Sequence, residues 1–162
     1  MATDTSKLWD KGFKVDEKID KFTVGHDREM DLYLSQYDIM GTMAHITMLS
    51  EVGLLPKEDL DVLLPELKKL YAEAQNGNFE IEEGIEDVHS QVELMLTRKF
   101  GDIGKKVHTG RSRNDQVMVD VKLFARAEIE KTVKKMLTLF NVLQAKSEQF
   151  KDVIIPGYTH LQ

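Results

Sequence analysis

The feature that most constrains the fold is the stretch from Asn114 to about Lys151, which contains neither glycine nor proline. It predicts one helix about 55 Å long, longer than a small domain is wide. Because its first half is apolar on several faces, other helices have to surround it. A chain of 162 residues cannot supply enough of these neighbours. The pattern therefore predicts a helical bundle completed by more chain, by other subunits, or by both.

Most of the remaining sequence has helical periodicity interrupted by glycine and proline. It predicts helices over about 27–52, 57–74 and 87–100. Gly53 is expected to end the first of these helices, and Asn-Gly-Asn at 76–78 is expected to end the second. Pro65 predicts either a kink in the second helix or its division into two abutting helices.

The N-terminal region has a mixed pattern. Residues 7–23 are predicted to be loosely structured, with Trp9 and Phe13 as anchors. The fold class is therefore all-α. We expect an N-terminal helical domain over 1–112, and the first long helix of a truncated central helical-bundle domain over 113–162.

A polar, cationic loop leads into the long helix. Arg111 and Arg113 lie beside Ser112 and Asn114, where the first turn of a helix leaves backbone N–H groups unpaired. Helix N-termini attract anions, and the planar guanidinium matches a carboxylate or a phosphate. The loop predicts a pocket for a small polyanion. The alternative is a solvated interhelix loop closed by a Ser-x-x-Asp cap that begins at Ser112.

Charge is distributed unevenly along the chain. Six acidic residues lie between positions 80 and 93, and six basic residues lie between 98 and 113, where Asp102 is the one acid. The basic segment either steers an anion towards the loop or forms a surface patch complementary to the acidic segment. The net charge of -6 argues against nucleic acid or an anionic membrane as the main partner.

Composition narrows the chemistry further. The sequence has no cysteine, which excludes disulfides and thiolate metal sites, and its five histidines lack metal-ligand spacing. We therefore expect no metal. The first ten residues lack an apolar signal core, and no apolar run approaches transmembrane length. A cytoplasmic location is the default expectation.

Two segments resemble, nearly letter for letter, the first two signature regions of argininosuccinate lyase. They are Gly-Arg-Ser-Arg-Asn-Asp at 110–115 and Gly-Tyr-Thr-His-Leu-Gln at 157–162. Glu-Asp-Val-His at 86–89 is similar to an acidic-histidine segment of that family, and Asp-Arg at 27–28 is similar to its N-terminal element. The resemblance extends from about residue 8 to the last residue. Fumarase, aspartase and adenylosuccinate lyase share the architecture but differ at the first segment.

The resemblance implies a function and an assembly. Family members cleave argininosuccinate reversibly to arginine and fumarate, a carbon–nitrogen lyase reaction of arginine biosynthesis, and use no metal or organic cofactor. They are homotetramers with the L-aspartase/fumarase-like helical fold, in which three subunits contribute to each active site. The catalytic serine of the family lies on a loop beyond position 162, so the chain is expected to be an N-terminal fragment that is inactive alone.

The resemblance also implies roles for individual residues. Arg113 and Asn114 would bind the succinyl carboxylates, with Ser112 nearby. Thr159 would hydrogen-bond to the substrate, and His160 would belong to the acid–base apparatus. Such groups are needed because removing a proton beside a carboxylate creates a doubly charged intermediate that requires preorganised donors. A second group must protonate the departing nitrogen.

Three further candidates are substrate-binding residues by the same resemblance. Asp87 and His89 belong to the acidic-histidine segment, although Asp87 could instead be a helix N-cap with His89 beside it. Thr23 lies four residues before Asp27, where the family often has a substrate-binding serine. His45, on an otherwise apolar helix, is predicted to be a core residue.

Two other functions stay open at this point. One is a related lyase acting on another succinyl substrate, because the cationic loop specifies only the succinyl end. The other is a non-catalytic helical interaction or structural module, since the family has been reused as a structural lens protein. The unaltered cationic loop and the Thr159-His160 pair favour the enzyme.

Overall fold

The computed structural model describes residues 16–160, so Trp9 and Phe13 lie outside the described residues. Every regular element in the described part is helical, which confirms the all-α prediction. The elements are α1 (Glu17–Val24), α2 (Asp27–Asp31), α3 (Ser35–Glu51), α4 (Lys57–Gln75), α5 (Val88–Phe100), α6 (Asp102–Lys105), a 3₁₀ turn (Lys106–His108) and α7 (Arg113–Gln149). None of these helices is long and apolar enough to cross a lipid bilayer.

The chain divides into two compact units, the first ending at Phe124 and the second beginning at Ala125. In the first unit, α3 packs against α4 and α5, and α5 packs against α6. Buried apolar side chains from α3, α4 and α5, from the segments between them and from the 3₁₀ turn form the core: Ile39, Ile46, Leu49, Leu55, Leu63, Leu67, Leu70, Phe79, Val88, Val92, Leu96 and Val107. The proposed domain boundary between 112 and 113 stays a prediction.

The predicted long helix is confirmed as α7, which is unbroken over 37 residues. Its buried side chains are polar, namely Gln116 and Asp120. Its apolar residues are largely exposed, for example Met118 in the first unit and Leu137 in the second. The expected covering of these faces by further helices therefore stays a prediction.

The first predicted helix is wrong in one respect, because it is divided into α2 and α3. The division has a tertiary cause. Arg28 donates a hydrogen bond from Nε to the carbonyl oxygen of Ile85, and the Asp31 carboxylate accepts one from the backbone N–H of Val88 at 3.0 Å. These bonds tie α2 to the segment before α5. The chain then turns through 32–34 with i to i+3 backbone bonds before α3 begins.

Two further expectations are corrected. Residues 17–23, predicted to be loose, belong to α1, because the Asp16 carboxylate caps the helix by accepting from the backbone N–H of Lys18. Pro65 does not divide α4, which continues through it as one helix, whereas the alternative of a kink stays a prediction. Pro65 is exposed, and so is Asp61, whose carbonyl loses its helical partner and can be solvated instead.

Glycines end α3 and α4 as the sequence predicts. Gly53 and Gly77 have φ values of +77° and +73°, which residues with a side chain rarely adopt. In each case the N–H of the glycine and the N–H of the residue after it donate to carbonyls in the last turn of the helix. The distances are 3.1 and 2.8 Å after α3, and 3.2 and 2.9 Å after α4. This is the Schellman arrangement, which satisfies the final carbonyls.

A third glycine sets how closely α6 approaches α5. Gly104 is buried, and a Cβ atom there would lie 2.4 Å from the carbonyl carbon of Leu96 and 2.5 Å from the nitrogen of Thr97. Both are backbone atoms, so they cannot move aside without shifting the helix. The contact supports the segment that leads into the cationic loop.

Replacing Gly104 with alanine should therefore destabilise the chain by about 1–3 kcal/mol, through overpacking against backbone. The measurement is the urea dependence of unfolding followed by circular dichroism. Gly41→Ala in α3 is the matched control, because a Cβ atom there would lie 3.4 Å from Val119 Cγ1, an ordinary contact. The control should be neutral or stabilising by up to about 1 kcal/mol. Equal effects of the two substitutions would contradict the packing argument.

Candidate active site

A cleft of about 250 Å³ lies in the first unit, between α2, the start of α5 and the start of α7. Its lining is mostly charged: Asp27, Met30, Asp31, Glu86, Asp87, His89, Arg113 and Val117. Four carboxylates therefore surround one guanidinium and one imidazole. The cleft brings together three predicted site residues, Asp87, His89 and Arg113.

Arg113 is held against the N-terminal turn of α5. Its Nη1 lies 2.9 Å from Asp87 Oδ2 and 3.9 Å from Glu86 Oε2, and its Nη2 donates to Ser90 Oγ at 3.0 Å. About a third of the side chain stays exposed. The guanidinium is thus oriented by α5 while it borders the cleft.

Asp87 has the helix N-cap role that the sequence offered as one alternative, and its proposed substrate contact stays a prediction. Its Oδ1 accepts from the backbone N–H of Ser90 at 2.8 Å, so Asp87 is the N-cap of α5. Its other oxygen binds Arg113. A residue that starts a helix thereby also positions the arginine of the cationic loop.

His89 forms the inner wall of the cleft and is only 8% exposed. Its Nδ1 lies 2.7 Å from Asp38 Oδ1 on α3 and 3.8 Å from Asp120 Oδ2 on α7. Burial alone would lower the pKa of His89, but the hydrogen bond and charge of Asp38, with the charges of Asp87 and Asp120, raise it above the ordinary value. The imidazolium form is therefore more favoured than it is in a free histidine.

A buried polar cluster, consisting of Asp38, His89, Gln116 and Asp120, lies beneath the cleft. Gln116 Nε2 is 3.3 Å from Asp38 Oδ1. Burial, followed by the charge of Asp38, raises the pKa of Asp120 to about 7, against the opposing charges of His89 and Arg111. Arg111 donates from Nη2 to Thr42 Oγ1 at 2.8 Å, which ties the cationic loop to α3.

Asp38, His89 and Asp120 also offer three possible metal-ligand atoms within 4.8 Å of one another. Their residue types would suit a divalent cation. However, Nδ1 of His89 is already bonded to Asp38, and the positive charge of Arg111 acts on both carboxylates. Positive charge from the protein itself thus accompanies the two acids.

The other candidates of the cationic loop lie outside the cleft. Ser112 and Asn114 are exposed at the start of α7. Ser112 forms the predicted cap with Asp115: its backbone N–H donates to Asp115 Oδ2 at 2.7 Å, and its Oγ accepts from the Asp115 N–H at 3.4 Å. This cap fixes the helix start that presents Arg113.

The remaining candidate site residues lie far from the cationic loop in sequence, one before it and two after it. Thr23 is exposed on α1, where its hydroxyl donates to the carbonyl of Ile19 at 2.9 Å. Thr159 and His160 belong to the second unit and are exposed there, and His160 has a φ of +51°. The proposed substrate contacts of these three residues stay predictions.

The prediction for His45 is wrong, and three acidic residues of the site were not predicted. His45 is a partly exposed residue rather than a core residue, and its Nε2 lies 2.8 Å from the carbonyl oxygen of Thr109, so it supports the cationic loop. These acidic residues are Asp31, Asp38 and Asp120, which are not among the candidate site residues predicted from the sequence. The available signal was a carboxylate within an otherwise apolar stretch of helix, as at Asp38 and Asp120, because such an acid needs a buried partner.

A protein-family model described as lyase matches residues 12–162. The match covers nearly the whole chain, including every residue of the cleft. The chain therefore belongs to this lyase family.

The similar proteins are more specific. The chain is 64% identical over 156 residues to the argininosuccinate lyase of Parabacteroides distasonis and 63% identical over 156 residues to that of Phocaeicola vulgatus. Each alignment covers 96% of this chain and 35% of the relative. The argininosuccinate lyase of Pseudomonas syringae pv. tomato is 42% identical over 165 residues. The chain thus spans about a third of the length of the curated relatives it matches.

The stability of the chain should fall as the pH rises from about 4 through neutrality, and Asp120→Asn should weaken the part of that dependence that lies below about pH 7. An acid whose pKa is raised on folding favours the folded state at low pH, and its contribution is lost between the unfolded value near 3.8 and the folded value of about 7. The raised pKa of His89 acts in the same direction, because its contribution is lost as the pH rises through the folded pKa. The Asp120 contribution is at most about 4 kcal/mol.

Urea unfolding between about pH 4 and pH 8 measures this effect. Relative to the unmodified chain, Asp120→Asn should gain free energy of unfolding towards the upper end of that range. Asp102→Asn is the control, since that carboxylate is exposed and the pKa of Asp102 is lowered by Lys105. A stability difference between Asp120→Asn and the unmodified chain that does not change with pH would contradict a raised pKa.

Proposed function

We propose that the protein containing this chain is an argininosuccinate lyase, which releases fumarate reversibly from argininosuccinate to give arginine. The observation that carries the proposal is the cleft in which Arg113 and His89 lie among four carboxylates. A ligand for such a cleft needs both anionic and cationic groups, and argininosuccinate has carboxylates together with a guanidinium. The 64% identity to a protein of that name supports the same substrate.

The cationic side of the cleft suits the succinyl end of the substrate. Arg113 borders the cleft at the first turn of α7, where the helix dipole adds partial positive charge. A carboxylate there would gain charge-assisted hydrogen bonds from the guanidinium and from the imidazolium form of His89. In this proposal Asn114 contributes a further hydrogen bond, with Ser112 nearby.

The acidic side suits the guanidinium end. Asp27 is exposed, and Glu86 is 40% exposed and 3.9 Å from Arg113, so both leave carboxylate oxygen atoms accessible to a cationic ligand. Malate and fumarate have no cation for this side. The cleft therefore favours argininosuccinate over the smaller dicarboxylic acids.

In the proposed reaction the chain's residues divide the work. Arg113 and Asn114 hold the succinyl carboxylates and stabilise the negative charge that develops when the proton beside one of them is removed. Thr159 hydrogen-bonds to the substrate, and His160 takes part in acid–base transfer. Thr23, Asp87 and His89 complete the binding set. No metal and no organic cofactor enter this scheme.

We also infer the setting in which the chain works. The exposed apolar residues of α7 are suited to other helices of a bundle that begins near residue 113, and a homotetramer would supply them. An acidic protein of this kind is expected in the cytoplasm, without nucleic acid or membrane as partners.

The native protein should release fumarate from argininosuccinate and should act far more slowly on adenylosuccinate, aspartate and malate. These four compounds share the succinyl end and differ in the group that leaves. Initial rates at equal concentrations, with fumarate quantified by chromatography, make the comparison. A preference for any of the other three would refute the proposed substrate.

Arg113→Lys should weaken the binding of argininosuccinate to the native protein by about 10- to 100-fold, because lysine cannot reproduce the planar fork. Arg98→Lys is the matched control. Arg98 lies on α5, where it pairs with Glu82 at the surface and does not line the cleft. Equilibrium binding measured by calorimetry separates the two variants. Equal affinities would remove Arg113 from the binding site.

A further inference from the structure

The imidazole of His89 is held between two acids that come from different helices. Asp38 on α3 is 2% exposed and Asp120 on α7 is 1% exposed. Both carboxylates converge on the same ring nitrogen, Nδ1, at 2.7 and 3.8 Å. A neutral histidine needs only one acceptor at this nitrogen. The second carboxylate therefore calls for a separate explanation.

The second carboxylate is costly where it lies. Asp120 Oδ2 and Asp38 Oδ2 are buried and accept no hydrogen bond within the described part of the chain. A buried polar atom without a partner costs free energy, and two adjacent carboxylates do not both ionise unless positive charge balances them. Asparagine at either position would avoid the like-charge repulsion. The pair is consistent with a role in which negative charge itself is needed.

The geometry links this pair to the cationic loop. Arg113, Gln116 and Asp120 occur at spacings of three and four residues on α7, so they lie along one face of its first turns. Arg113 reaches the cleft, Gln116 reaches Asp38, and Asp120 reaches His89. One helix face thereby sets both the guanidinium and the acids behind the imidazole.

We propose that Asp120 is a positioning residue for His89. Together with Asp38 it surrounds Nδ1 with negative charge, keeps a proton on that nitrogen, and leaves Nε2–H to donate to a carboxylate in the cleft beside Arg113. The identity of that ligand rests on the proposed function, whereas the state of the ring does not.

The charged and titratable groups around His89 come from every neighbouring element: Asp31 on α2, Asp38 on α3, Asp87 at the start of α5, His108 in the 3₁₀ turn, Arg111 in the loop, and Arg113 and Asp120 on α7. Asp38 is the hydrogen-bonded partner. Loss of its charge should therefore lower the pKa of His89 more than loss of the Asp120 charge.

The test is a titration of the ¹⁵N-labelled imidazole of His89 by NMR in the native protein without ligand. In the unmodified protein the proposal requires a proton on Nδ1 throughout, including the neutral form of the ring. A neutral ring protonated at Nε2 alone would overturn the proposal without any variant. The His89 signal is assigned by its loss in His89→Gln.

The variants then separate charge from shape. Asp120→Asn, which is nearly isosteric, should move the His89 titration to lower pH by about half a unit or more, and Asp38→Asn should move it further. Asp102→Asn, a matched change at an exposed acid, should leave it in place. Equal titrations for Asp120→Asn and Asp102→Asn would overturn the proposal, whereas Asp120→Glu should restore the titration in part.

Fumarate binding distinguishes this proposal from the proposed function. Near neutral pH, Asp120→Asn should raise the Kd for fumarate severalfold. The loss of affinity should shrink as the pH falls and His89 regains its proton. A merely structural defect would not recover in this way. If the unmodified protein binds no fumarate, the proposed substrate site fails, while the NMR titration still decides the role of Asp120.

Discussion

The contact on which the site depends is the hydrogen bond between His89 and Asp38, which joins α5 to α3 in a buried environment. A buried polar pair of this kind is stable inside a protein only when its remaining polar groups are compensated. Gln116 and Asp120 bring α7 to the same point. Polar contacts at Gln116 and Asp120 therefore help to locate the helix that carries Arg113, beside apolar contacts such as that between the rings of Phe124 and Tyr37.

This arrangement explains why the long helix looks unusual in the first unit. Its apolar residues are largely exposed, whereas the two side chains it buries there are an amide and a carboxylic acid. An apolar interface could slide by a fraction of a turn at little cost. The Gln116–Asp38 hydrogen bond and the Asp120–His89 ion pair instead define the rotation of α7, and with it the direction of Arg113.

Helix ends in this chain serve the site as well as the fold. Asp87 begins α5 and also binds Arg113, while the Ser112–Asp115 cap begins α7 immediately before Arg113. Local patterns in the sequence predict such caps, so the helices α5 and α7 and the glycines that end α3 and α4, at 53 and 77, were predictable. The break at 32–34 was not, because it follows from bonds between α2 and a segment more than 50 residues away.

Propensities and spacings within a few residues are enough to predict the all-α class, the unbroken helix after Asn114 and the cationic loop. The signature segments of the sequence also pointed to the lyase family. Only the tertiary structure decided that His89 is backed by Asp38 and Asp120, and that Asp27, Asp31 and Glu86 face Arg113. Burial and charge pairing join residues that are distant in sequence, since His89 lies 51 positions from Asp38 and 31 from Asp120. Periodicity along one chain contains no information about which distant acids will surround one histidine.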